Sequence, residues 1–191
     1  MSADPIIRDT ERRDLPAIAA IYAEAVRNGT ASYETEPPDL AEMTRRWQAL
    51  AGDDYPYIVA EKNGDILGFA YAGPYHGRPG YRFSVEGSVY IAPAAQRRGT
   101  GRALLTRVIE IAEASGFRQM IAVIGGADSH AASVRLHEAL GFRLIGVFKG
   151  SGYKFGRWLD TLLMQRTLGP GSGTPPRERS DTREPVSGRH D

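Results

Sequence analysis

The sequence predicts a mixed α/β (α+β) domain of seven strands and about four helices, and three observations carry that prediction. Short runs rich in Ile, Val, Phe and Tyr are interspersed with longer segments whose apolar residues recur at helical spacing. Asn63-Gly64 sits between two of the short runs, a strong signal for a two-residue hairpin. Residues 86–104 read as a strand, then a loop of glycines and arginines, then the start of an amphipathic helix.

Taken in order, Ile6, Ile7 and Arg8 make a short first strand. Asp14 opens a helix that tolerates Pro16 in its first turn. Leu15, Ile18, Ala19, Tyr22 and Val26 share one face of it, and Asn28-Gly29 supplies the stop. Asp39, with Glu42 three residues on, has the form of a capping box and starts a second helix through Leu50. Residues 57–61 and 66–71 are the arms of the Asn63-Gly64 hairpin, and a fourth strand spans 83–91. The helix at about 100–115 buries Leu104, Leu105, Val108, Ile109 and Ala112 on one face. A fifth strand at 119–124 precedes a fourth helix at 129–140, ended by Gly141, and strands at 142–148 and 158–165 complete the sheet. From Gly169 the composition turns to Gly, Pro, Ser, Arg and acidic residues, with Val186 the single large aliphatic side chain. Such a segment buries too little apolar surface to offset its ordering entropy, which predicts a domain over 1–168 and a disordered tail over 169–191.

Composition narrows the function. A net charge of +1 gives no support to nucleic acid or an anionic membrane as partner. The absence of cysteine removes a thiol nucleophile, disulfides and thiolate metal sites, and agrees with a cytoplasmic protein. The N-terminal residues show no signal peptide, and no run approaches the ~20 apolar residues of a membrane span. Four histidines, His76, His130, His137 and His190, form no metal-ligand pattern; His130 and His137 would lie two helical turns apart, ~10 Å along a helix. No metal is expected.

The loop Gln96-Arg97-Arg98-Gly99-Thr100-Gly101 suits a phosphate or pyrophosphate, because backbone N–H groups converge there with the positive end of a helix dipole. The third glycine of the dinucleotide fingerprint and the Lys-Ser/Thr of the Walker sequence are both missing. An ordinary glycine turn before a helix would look the same over six residues, so context decides. The motif resembles the acetyl-CoA pyrophosphate loop of the GNAT superfamily of N-acetyltransferases, and it falls between the fourth strand and the third helix, where that fold holds its cofactor. The resemblance implies a central mixed, mostly antiparallel sheet that splays at the cofactor strand.

Four further segments are similar to the phosphinothricin N-acetyltransferase branch: Ser32-Tyr33-Glu34-Thr35-Glu36-Pro37, Phe69-Ala70-Tyr71-Ala72-Gly73-Pro74, Val134-Arg135-Leu136-His137-Glu138-Ala139-Leu140-Gly141-Phe142 and Gly152-Tyr153-Lys154-Phe155-Gly156-Arg157-Trp158-Leu159-Asp160. The resemblance implies acetyl transfer from acetyl-CoA to the α-amine of a small amino acid of the phosphinothricin, methionine sulfone or methionine sulfoximine type, and a homodimer. It implies Glu86 as general base and His137 as a second site residue, acid or base. Val89, Tyr90 and Ile91 would offer backbone groups to the pantetheine arm, and a backbone N–H there would steady the developing oxyanion. Gln96, Arg97, Arg98, Gly99, Thr100, Gly101 and Arg102 would hold the pyrophosphate. His130 stands where the family pattern usually has Asn; with Ser133 it is expected along the cofactor arm. Arg78 and Arg82 suit a substrate's anions through bidentate pairing, with Tyr33, Tyr75 and Tyr81 around them. Acetylation of a protein N-terminus or a polyamine, or non-catalytic sensing of acetyl-CoA, are the rival readings.

Overall fold

The computed structural model describes residues 4–53, 55–126 and 131–176. Its strands are β1 (Ile6–Asp9), β2 (Tyr57–Lys62), β3 (Asp65–Pro74), β4 (Ser84–Ile91), β5 (Gln119–Gly125), β6 (Arg143–Lys154) and β7 (Arg157–Thr167). Its α-helices are α1 (Leu15–Asn28), α2 (Leu40–Gly52), α3 (Thr100–Ala114) and α4 (Ala131–Ala139). The strands form one sheet in the order β1-β2-β3-β4-β5-β7-β6. Every neighbouring pair is antiparallel except β4 with β5.

Local chemistry explains most boundaries. Asp39 caps α2 by accepting the Glu42 N–H at 2.8 Å. Asn63 (φ 54°) and Gly64 (φ 88°) both take the left-handed conformation, as the tight turn between β2 and β3 requires. Gly29 ends α1 in an extended conformation at φ −133°. What that position demands is space: a Cβ there would lie 3.0 Å from the Ala25 carbonyl oxygen.

Alternation along β2 splits the core between two faces. Ile58 and Ala60 point with Val85, Met120, Ala122 and Met164 toward α3, which supplies Leu104, Leu105, Val108 and Ala112. Tyr57 and Val59 point with Phe69 the other way, toward Leu15, Ile18, Tyr22 and Val26 of α1 and Met43 of α2. Helices α1 and α2 cover the β1–β4 half of that second face. On β5, β7 and β6 the same face carries Val123, Ile145 and Phe148 exposed.

Two features differ from the sequence expectation. Strand β6 runs on to Lys154, because register shifts at Leu144/Gly146 and Phe148/Gly152 let the strand absorb extra residues without ending. Those shifts break the two-residue alternation, so the second half of β6 does not look like a strand in sequence. Beyond β7, Leu168 is fully buried, and residues 169–176 continue through hydrogen-bonded turns. The Arg118 guanidinium donates there to the Gly171 and Pro175 carbonyls and to the Thr174 hydroxyl. The rest of the expected tail, 177–191, lies outside the described residues, as does the expected start of the fourth helix at 129.

The sheet opens at its centre. β4 pairs with β5 only through Ser84 with Gln119, Val85 with Met120 and Glu86 with Ile121. Past Glu86 the two strands part, while the other edge of β4 stays paired with β3 as far as Ile91. Residues 87–91 therefore turn an unpaired backbone edge into the gap.

Candidate active site

The gap is a cleft of ≈620 Å³. One wall is Gly87 to Ile91 on β4, another is Ala122 to Gly125 on β5, and Ser133, Leu136 and His137 of α4 close the far side. The C-terminal end of α1 and the loop after it add Asn28, Gly29 and Ala31. Of the residues expected to hold a cofactor, Val89, Tyr90, Ile91, Gln96, Arg97, Gly99, Gly101, Arg102 and Ser133 all line this one space. Arg98 and Thr100 do not line it: Arg98 is exposed, and Thr100 is 3% exposed beneath the helix start. His130 lies outside the described residues.

The loop that enters α3 has the backbone an anion site needs. Arg97 (φ 59°) and Gly99 (φ 83°) both sit in the left-handed region, which turns the chain sharply between Gln96 and the helix. The Ala103 N–H is the first to bond back, to the Gly99 carbonyl at 3.0 Å. The N–H groups of Thr100, Gly101 and Arg102 thus have no partner within the helix. Nothing lies within 4 Å of a Cβ built on Gly99, and one on Gly101 would make only ordinary contacts with Leu136 and Ile91. Gly101 keeps the cleft floor low, while Gly99 also meets the left-handed turn that a side chain would strain.

The expected side-chain roles separate in space. Val89 and Ile91 pack toward the α3 core, while Tyr90 packs on the other face against Tyr22, ring centroids 5.0 Å apart, and Phe69 at 5.2 Å. Glu86 shares the Tyr90 face, half-buried, at the last pair of the β4–β5 ladder and one residue from the cleft wall. Burial raises its carboxyl above the ordinary value, and the nearby His76 partly opposes the shift. A carboxylate in that position takes up a proton closer to neutrality than a surface glutamate does.

His137 is 3% exposed, on α4. Its Nδ1 lies 2.8 Å from the Ser133 carbonyl, an oxygen that can only accept, so Nδ1 carries the hydrogen. Its ring meets Phe142 edge-on at 4.9 Å. Burial lowers its pKa, against the Ser133 carbonyl. The side chain is thus neutral near pH 7, with an Nε2 that accepts.

The residues expected around a substrate do not line the cleft. Tyr75, His76 and Tyr81 form an aromatic cluster, with centroids 4.2 to 5.7 Å apart, at the start of β4. Arg82 stacks on Phe83 at 4.5 Å and donates to the Pro79 carbonyl. Arg78 is exposed. Tyr33 is a latch: its hydroxyl hydrogen-bonds Thr161 Oγ1 at 2.8 Å and accepts the Gly126 N–H at 3.3 Å. Its ring packs where a Cβ on Gly125 or Gly152 would collide.

Sequence reasoning missed Lys154. It is 4% exposed, and its ammonium donates to the Gly29 carbonyl at 2.9 Å and the Ser32 carbonyl at 2.7 Å. Together Tyr33 and Lys154 tie the loop after α1 to β6 and β7, so the loop's contribution to the cleft is fixed from across the sheet. A lysine between tyrosine and phenylalanine looks like a surface residue, and nothing nearby in the chain reveals its acceptors. Among the described residues, no group of three or more His, Cys, Asp or Glu could hold a metal, and no helix is long and apolar enough to cross a membrane.

Residues 7–163 match the acetyltransferase (GNAT) domain model. The chain belongs to the GNAT acetyltransferase family. Within that family it is 50% identical over 171 residues to phosphinothricin N-acetyltransferase of Alcaligenes faecalis, covering 90% of this chain and 85% of the relative. It is 42% identical over 170 residues to L-methionine sulfoximine/L-methionine sulfone acetyltransferase of Pseudomonas paraeruginosa, covering 88% and 98%. A crystal structure of a GNAT superfamily phosphinothricin acetyltransferase from Sinorhizobium meliloti with AcCoA superposes at a TM-score of 0.89, with 49% identity over 92% of this chain and 95% of that one. The GNAT fold accounts for the splayed sheet and for the glycine loop at its cofactor strand.

Proposed function

We propose that this chain transfers the acetyl group of acetyl-CoA directly to the α-amine of a small amino acid or analogue of the phosphinothricin and methionine sulfone/sulfoximine type. The observation that carries it is the position of Glu86: a half-buried carboxylate with a raised pKa, at the point where β4 leaves β5 and the cleft begins.

The residues fit acetyl-CoA. The unpaired edge of β4 offers alternating N–H and C=O groups to an extended arm, as an added strand would use them. The glycine loop offers free helix N–H groups, with Arg97 and Arg102 for two negative charges. When bound, acetyl-CoA supplies a thioester carbonyl open to attack by an amine. Everything else falls to this chain. Glu86 takes the proton from the substrate ammonium or amine, directly or through water. A β4 backbone N–H steadies negative charge on the carbonyl oxygen. His137, neutral and with only Nε2 free, serves as an acceptor that orients a donor in the cleft, and the proton that Glu86 has taken up passes through water to the departing sulfur as the C–S bond breaks. The cleft walls hold the two reactants in register, worth several kcal/mol in lost freedom, up to ~7–11 in ideal cases.

Arg78, exposed at the loop before β4, is the carboxylate or phosphinate anchor in this reading, with Arg82, Tyr75 and Tyr81 shaping its surroundings, while Tyr33 acts as the latch on the loop after α1. The protein acts in the cytoplasm in this reading, with which its lack of cysteine agrees. It pairs with a second copy through the exposed apolar side chains of β6, β7 and the turn between them, among them Phe148, Tyr153, Phe155 and Trp158, the last 69% exposed. Light scattering on a sizing column tests the pairing: a single-chain mass refutes it.

Thiol release from acetyl-CoA tests the activity, across phosphinothricin, methionine sulfone, methionine sulfoximine, ordinary amino acids and a polyamine. Turnover concentrated on the oxidised amino-acid analogues is expected. Turnover with the polyamine alone, or with none of them despite acetyl-CoA binding, refutes the substrate class.

A further inference from the structure

Along β4, Glu86 falls between the residues that line two cavities. The large cleft begins at Gly87 and runs toward Ile91. On the other side, a smaller cavity of ≈200 Å³ opens on the same sheet face as Glu86. Alternation puts Ser84 on the Glu86 face, and Ser84 lines the small cavity. Ladder pairing puts Ile121 opposite Glu86, and Gln165 opposite Ile121 in turn. Tyr75 and Tyr81 form its roof, Ile121 and Leu163 its apolar floor, and Gln119 and Gln165 its polar end.

We propose that this small cavity receives the acceptor's side chain, and that the Gln119–Gln165 amide pair reads a tetrahedral oxo group at its end. This rests on the acetyltransferase reading above. The two amides share one hydrogen bond of 2.7 Å, which uses one N–H of four whichever way each amide is turned. Three N–H groups remain for acceptor oxygens. The lining contains no charged side chain, so the cavity suits a short apolar stem carrying an uncharged sulfonyl or sulfoximine group better than it suits a basic side chain.

The dimensions agree. Ser84 and Glu86 are two residues apart on one strand, ~7 Å. From an α-amine to a sulfur or phosphorus at the δ position is four bonds of about 1.5 Å, ~5 Å when zigzagged, and the oxygen adds one bond more. An amine at Glu86 thus sets the oxo group beside the amides. Alanine leaves the cavity empty, and a thioether fills it without using the N–H groups. A site built to hydrogen-bond a substrate discriminates strongly against the analogue that lacks the acceptor.

The test compares kcat/KM for methionine sulfone, methionine and alanine in the full chain and two variants. Gln119→Leu/Gln165→Leu keeps the volume and removes the donors; the sulfone-to-methionine preference is expected to fall tenfold or more. Leu163→Trp fills the cavity; kcat/KM for sulfone and methionine is expected to fall while the alanine value holds. An unchanged sulfone-to-methionine ratio in the first variant overturns the proposal. So does a Leu163→Trp variant whose mass changes on a sizing column while its selectivity does not, because the cavity is then an interface between copies. A wild-type chain that acetylates no amino acid brings down the parent reading as well, whereas an active wild type with unaffected variants removes this inference alone.

Discussion

Replacing Lys154 by methionine isolates one buried charge. The stem stays in place, so apolar burial changes little; what disappears is the ammonium between the Gly29 and Ser32 carbonyls, 2.9 and 2.7 Å away. Hydrogen bonds from a charged donor are worth about 1.5–3 kcal/mol each, and a buried carbonyl without a donor costs about 1–3 kcal/mol. Against this, the variant no longer takes a cation out of water, the same burial that lowers the Lys154 pKa. The net expectation is a loss of about 2–3 kcal/mol, or roughly 5–10 °C for a chain of this size. Urea unfolding followed by tryptophan fluorescence measures it as a lower midpoint at unchanged slope. Gly29 and Ala31 line the cleft, so the KM for acetyl-CoA should rise in the same variant. A midpoint shift below about 0.5 kcal/mol would refute the reasoning, since the two carbonyls would then have other donors or the loop would not depend on them.

Other expectations follow from the same geometry. Glu86→Gln should lower kcat/KM by about 10²–10⁴ with little change in melting temperature. His76→Phe removes the charge that opposes the upward shift of Glu86, so the acidic limb of the pH profile should move to higher pH. His137 has a folded pKa below 6.5, so the unfolded chain binds its proton more readily: stability should decline as pH falls below 6.5, down to the folded pKa. In His137→Gln, urea titrations at stepped pH should lose that part of the decline. Gly152→Ala places a methyl in the Tyr33 ring, with an expected cost of about 1–3 kcal/mol, and Tyr33→Ala in the same chain should recover part of it.

What the sequence made legible is local. The helical stripes, the Asn63-Gly64 turn, the Asp39 cap and the glycine loop each depend on residues within a few positions of one another, and each stands where it was expected. The long-range part was not legible. Tyr33 reaches Thr161 across 128 positions and Lys154 reaches Ser32 across 122, and nothing within a few positions of either end identifies its partner. The two register shifts in β6 hid the strand's second half by breaking its alternation. The tautomer of His137 rests on the Ser133 carbonyl beneath the ring, one helical turn back, and a side chain that could be read as acid or base becomes an acceptor only when that contact is seen.

The short β4–β5 ladder also bears on how the molecule comes apart. Three residue pairs join the half of the sheet that contains β1 to β4 to the half that contains β5 to β7. The α3 core spans that seam on one face, while α1 and α2 cover only one side of it on the other. The halves are therefore suited to open as two cooperative units, and the β4 amides of residues 87–91 that face the gap should exchange faster than those bonded to β3. A molecule lying in the cleft touches both units and links their unfolding. At a concentration one hundred times its dissociation constant it adds about 2.7 kcal/mol. The supply of the acetyl donor would then govern how long the folded chain persists, as well as how fast it works.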